Sequence, residues 1–148
     1  MLQRISKGDA EAVLTTGFTG VLRAPDDPNQ QVAIKPFPKH GKHYCQEDFH
    51  AILLGISVNE ENGVSTLQQA NAAFAPTTMK FELDGQPFQT DPQPVNPLLG
   101  PSGSAFVLVE GRVVGPYELK AGSHTLTVTV NNDPIDPAET VYTSQFFY

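Results

Sequence analysis

Residues 123–130, "SHTLTVTV", alternate without a break. His124, Leu126, Val128 and Val130 fall on one parity, and Thr125, Thr127 and Thr129 on the other. A period of two sends successive side chains to opposite faces of an extended chain; a helix would scatter them around its axis. The segment is therefore a strand with one buried and one wetter face. A strand exposes a row of backbone donors and acceptors on each side, so it constrains the rest of the chain to supply partners.

The partners are legible. "TMKFELDG" (78–85) alternates with Met79, Phe81 and Leu83 inward and Lys80 and Glu82 outward. Its Asp84-Gly85 end predicts a tight hairpin turn. "FHAILLGISV" (49–58) is apolar on both parities, as expected of a central strand. "QVAIKPF" (31–37) reads as a short edge strand, because Pro36 cannot donate to a ladder. "AFVLVEGRVVGPYEL" (105–119) reads as strand, glycine turn and strand, and "TVYTSQFFY" (140–148) as a last strand. "AVLTTGFTGVL" (12–22) has strand-like spacing, after a loosely held start over 1–11.

Between these lie turns at 24–30, 59–63 and 120–122, a long proline-rich loop over 90–104, and an acidic loop, "NNDPIDPAE" (131–139). Thirteen prolines and twelve glycines serve as this punctuation. The one helix expected is 65–74, with Ser65 and Gln68 as a capping box and Pro76 as its stop. The 148 residues suit a single domain over 1–148. Seven to nine short strands with one short helix predict an all-β, antiparallel sandwich.

"ELDGQPF", followed downstream by "GPYELKAGSHTLTVTV", resembles bacterial immunoglobulin-like domains, in which a strand ending in Asp-Gly precedes a Gly-x-His-Thr-Leu-x-Val-x-Val strand. The resemblance covers about the last seventy residues, 78–148. It implies an immunoglobulin-like sandwich, and a binding or structural module of a secreted or surface protein.

Charge narrows the partners. A formal net charge of −7, with no cationic block, disfavours nucleic acid, whose binding requires clustered Lys and Arg. No apolar run approaches the length of a membrane span. No signal peptide is visible in "MLQRISKGDAEAV". An extracellular or periplasmic location is the expectation, with a protein or glycan as partner.

"KHGKHYCQEDFH" (39–50) holds three of the four histidines and the only cysteine. His40, His43, Cys45 and His50, joined by His124, compose a candidate copper or zinc set, since imidazole and thiolate suit those ions. The alternative is a hydrated loop leading into a strand. Cys45 as a nucleophile would need His50 or His43 as base and Asp48 or Glu47 to orient it. No Ser/His/Asp set has a distinctive setting.

Strand phase adds one prediction. His50 and His124 both start apolar strands on inward positions, which in an immunoglobulin-like sandwich places them at the same pole. Asp48 is the expected carboxylate partner. Asp133 and Asp136 in the acidic loop are candidate calcium ligands. Tyr142, Phe146 and Tyr148 share one strand face and are a candidate aromatic contact surface. An exposed terminal strand would also allow assembly by edge pairing.

Overall fold

A computed structural model describes residues 5–16, 34–100 and 103–148. The turn expected at 24–30 and residues 17–22 and 31–33 of two expected strands lie outside the described residues. The described strands are β1 (Ile34–Phe37), β2 (His50–Asn59), β3 (Thr78–Leu83), β4 (Gln86–Pro87), β5 (Asp91–Pro92), β6 (Asn96–Gly100), β7 (Gly103–Val114), β8 (Ser123–Asn131) and β9 (Thr140–Phe147). One sheet has the order β1-β2-β7-β5, with β6 also on β7; the other is β4-β3-β8-β9. All these ladders are antiparallel. The two antiparallel sheets make an all-β sandwich, as expected.

The core follows the alternation. Ile52, Leu54, Ile56 and Val58 of β2 face Leu126, Val128, Val130, Phe81 and Phe146 of the opposite sheet. His124, Leu126, Val128 and Val130 are all buried, and the threonines between them are half-buried.

The second apolar face of β2 is covered from outside the two sheets. Ala51 and Leu53, with Val107 and Val109 of β7, form a separate cluster closed by Leu14. Leu14 belongs to a helix, α1 (Lys7–Thr16). Residues 7–16 are thus neither a loose start nor a strand. The Ser6 hydroxyl accepts the Asp9 N–H at 3.1 Å, and the Asp9 carboxylate accepts the Ser6 N–H at 3.0 Å. That reciprocal cap nucleates the helix, and the Ser6 backbone N–H, helped by the Ser6 side chain, holds the Asp9 carboxyl below its ordinary range. Ala10 and Leu14, one turn apart, are its buried face.

Three other expectations are corrected. The expected helix is α2 (Leu67–Phe74), capped by Thr66 and Gln69 rather than Ser65 and Gln68. Ala70 and Phe74 must both reach the core, which sets its phase. The 90–104 stretch is not all loop: β5 and β6 both pair with β7. Finally, Gly111 makes no turn. β7 runs through it unbroken, with Gly111 opposite Leu53 on one side and Asp91 on the other. Asp84 and Gly85 do form the expected turn between β3 and β4, with φ of 53° and 78°.

Candidate functional site

β2 and β8 begin at the same pole, and His50, His124, Phe146 and Tyr148, four of the residues that the sequence singled out, collect there. His50 and His124 are 6% and 8% exposed. One ring joins them: Tyr148 lies 5.5 Å from the His50 ring and 5.9 Å from the His124 ring, centroid to centroid. Tyr44 and Phe146 complete the cluster, at 4.8 Å from His50 and 5.6 Å from His124 respectively.

Each histidine is held by hydrogen bonds. The Tyr148 hydroxyl lies 2.9 Å from His50 Nδ1. Burial pushes the His50 imidazole below its ordinary range, partly offset by the charge of Asp48. Burial pushes the Tyr148 hydroxyl up, helped by Tyr44, Glu118 and Asp48. A protonated hydroxyl therefore donates to a neutral ring. Asp48, the expected carboxylate, instead accepts the Ile5 N–H at 3.0 Å and acts on His50 only through its charge.

His124 takes the carboxylate. Its Nδ1 is 2.7 Å from Asp84 Oδ2, and Asp84 Oδ1 accepts the Thr125 N–H at 2.8 Å. Its Nε2 lies 2.6 Å from the Lys120 carbonyl oxygen. A carbonyl only accepts, so Nε2 carries the hydrogen. An Asp–His pair can orient a general base, but only if the second nitrogen is open to take a proton. Here that nitrogen is occupied, so the pair works as a structural clamp between the β3–β4 turn and the start of β8.

The remaining candidates separate. His40 Nδ1 accepts the Gln145 N–H at 3.0 Å. His43 stacks on Phe147 at 4.7 Å. The Cys45 side chain is exposed. No three His, Cys, Asp or Glu side chains converge among the described residues as a metal would require. The copper or zinc set is therefore dispersed rather than assembled. The two aspartates of the acidic loop are dispersed likewise: Asp133 Oδ1 caps the Ile135 N–H at 2.9 Å and Asp136 Oδ1 the Ala138 N–H at 3.2 Å. Such self-contained turns are what Asp makes in loops. Phe146 is fully buried, so it belongs to the core and not to a contact surface, while Tyr142 and Tyr148 are half-buried.

The outer edge of β9 is partly covered as well. Gly41 and Tyr44 donate to the Gln145 and Phe147 carbonyls at 2.6 and 2.8 Å, and Phe147 donates to Lys42 at 2.9 Å. The histidine-rich stretch is thus a strap that runs parallel to the last strand.

At the tip of the same pole, two turns lie side by side. Tyr117 N–H donates to the Gln46 carbonyl at 2.7 Å, and the Gln46 side chain returns a bond to the Leu119 carbonyl at 3.1 Å. Tyr117 has a φ of 59° and is 64% exposed. A left-handed backbone costs a residue with a Cβ about 1–2 kcal/mol. The second strand expected to run to Leu119 ends at Val114, and "GPYE" (115–118) turns instead; Pro116 favours that turn, but no local pattern marks the strain at Tyr117.

No protein family matches this chain, and no curated protein or solved structure is detectably similar to it. No helix among the described residues is long and apolar enough to cross a membrane.

Proposed function

We propose that this chain is a non-catalytic binding or structural module of a secreted or cell-surface bacterial protein. It offers loops on an immunoglobulin-like sandwich to a protein or glycan partner. The observation that carries this reading is the state of the histidine pole. His50 Nδ1 and both ring nitrogens of His124 are taken up by Tyr148, Asp84 and the Lys120 carbonyl. Titratable groups that a catalyst or metal site would leave available are used here to lock strand ends. What remains for function is the loops, which rigid sandwiches commonly use for recognition.

The loops at the other pole are also braced. The Thr77 hydroxyl donates to the Asn132 carbonyl at 2.7 Å, and the Asn132 side chain to the Pro76 carbonyl at 3.3 Å. This ties the 60–77 connection to the 132–139 loop. A preorganised loop loses less freedom on binding.

Labelled protein applied to glycan and peptide arrays tests the reading. Retention on a defined class of ligand that survives His124→Gln is the expected result. Stoichiometric copper or zinc binding at sub-micromolar affinity, lost in His50→Ala, would replace the reading with a metal function. Fractionation of the producing cells checks the location: recovery in the cytoplasm alone refutes the secreted or surface part.

A further inference from the structure

We propose that Tyr117 is a recognition residue that docks a Lys or Arg side chain of a protein partner; the proposal rests on the binding-module reading above and names its partner class. The argument starts from a misfit. Residues 115–118 form a turn closed by the Glu118 N–H on the Gly115 carbonyl at 3.2 Å. Pro116 supplies the first central position, and Tyr117 takes the second with φ 59°. That second position with positive φ is normally Gly or Asn.

Folding does not account for the ring. It is 64% exposed, so burial does not offset the strain. The backbone bond from Tyr117 N–H to Gln46 would form equally with glycine at 117. The ring hydroxyl donates to Glu47 Oε1 at 3.0 Å, between two exposed residues. Exposed polar pairs contribute little to stability. A bulky side chain held in a strained conformation without a packing return points to recognition.

The surroundings select the chemistry. Glu47 sits at the hydroxyl, Asp48 is its neighbour on the same turn, and Glu118 follows Tyr117 directly. Arg112 is committed at 2.9 Å to Glu118 and lies 4.4 Å over the Phe88 ring, and Lys120 stands exposed three residues beyond Tyr117, so the negative charge at the ring rests on Glu47 and Asp48. Over the whole chain the formal charge is −7. An aromatic face attracts a cation placed over it, and flanking carboxylates reinforce that attraction. A basic side chain of a protein partner therefore fits better than a neutral sugar.

The test uses the wild-type chain, Tyr117→Gly and Glu47→Gln. Each is titrated with an acetylated hexa-arginine peptide at low and at physiological salt, with the tyrosine ring signals followed by NMR. The expected result is saturable binding that shifts the Tyr117 ring. It should weaken about threefold in Tyr117→Gly, the size of one exposed cation–π contact, and weaken again with salt. Tyr117→Gly should melt at or above the wild-type temperature, because glycine relieves the strain.

Equal peptide binding by the wild type and either variant, or no saturable binding at all, overturns the proposal. So does a marked fall in melting temperature for Tyr117→Gly, which would make the ring structural. A neutral cello-oligosaccharide that shifts Tyr117 where the peptide does not would overturn the cationic class. The wild type and Tyr117→Gly are also applied to the same arrays. Identical retention of both sinks only the role of Tyr117, whereas retention of neither on any array sinks the binding-module reading itself.

Discussion

Gly111→Ala tests the central contact of the sandwich. The perturbation adds one carbon in the middle of β7. An added Cβ would lie 2.2 Å from the Ile52 carbonyl oxygen, 2.7 Å from Leu53 Cβ and 2.8 Å from Leu53 Cα. Carbon rests beside a carbonyl oxygen at about 3.3–3.6 Å, so the two strands must part by about 1 Å. Two of the three obstacles are backbone atoms, which cannot rotate away. β7 cannot retreat freely either, because Gly111 also pairs with Asp91 of β5.

Overpacking of this kind costs about 1–3 kcal/mol. A ladder bond lost to the separation adds about 1 kcal/mol. Removing a glycine from the unfolded chain returns about 0.4–1 kcal/mol. The net expectation is a loss of about 2–3 kcal/mol, or about 4–12 °C in melting temperature for a chain of this size. Urea unfolding, followed by far-ultraviolet circular dichroism, measures it as a lower midpoint with an unchanged slope. Gly8→Ala is the control. A Cβ there meets only Ser6 Oγ at 3.8 Å, inside α1, so alanine should stabilise slightly. A Gly111→Ala protein as stable as the wild type would refute the close approach of β2 and β7. It would restore a turn at Gly111, and with it a different strand order.

Further outcomes follow from the same packing. Phe146→Ala should cost about 3–5 kcal/mol, because a fully buried ring packed against Tyr44, His124 and Tyr148 is removed; chemical denaturation measures it. His50 has a folded-state pKa depressed below its ordinary 6.5, so its neutral form is favoured by folding. Its contribution is complete above the unfolded value and is lost as pH falls through the folded one. Stability should therefore decline on acidification from about pH 7, and less steeply in His50→Gln, as melting curves across pH would show. Burial raises the Glu110 carboxyl, with the Thr90 hydroxyl partly opposing it. A raised acid favours the folded state while protonated and loses that as pH rises, so Glu110→Gln should gain stability over wild type at pH 7 and gain nothing at pH 4; calorimetry at the two values decides. Leu14→Ala should cost about 2–3 kcal/mol and speed amide exchange in α1, since Leu14 closes the helix-covered cluster.

What sequence alone determined is the period and the polarity. The inward set His124, Leu126, Val128 and Val130 was readable because a strand turns alternate side chains to opposite faces, whatever it pairs with. The Asp84-Gly85 turn was readable because its backbone angles are a local property. The shared pole of His50 and His124 followed from phase once a sandwich was assumed. The α1 cap is written in Ser6 and Asp9, but the strand-like spacing of 12–22 that follows masks it. Other features were absent from any local pattern. Whether Gly111 turns the chain or lies in a strand depends on β2, some sixty residues earlier in the chain. Whether a histidine binds a metal, a hydroxyl or a carbonyl depends on which groups arrive beside it. Asp84 reached His124, and Tyr148 reached His50, across 40 and 98 residues. Local propensity cannot specify such meetings, because hydrogen-bond partners at long separation are chosen by the packing of the sheets. Only the closed sandwich decided that the histidines clamp strand ends and that the ring of Tyr117 stays outside.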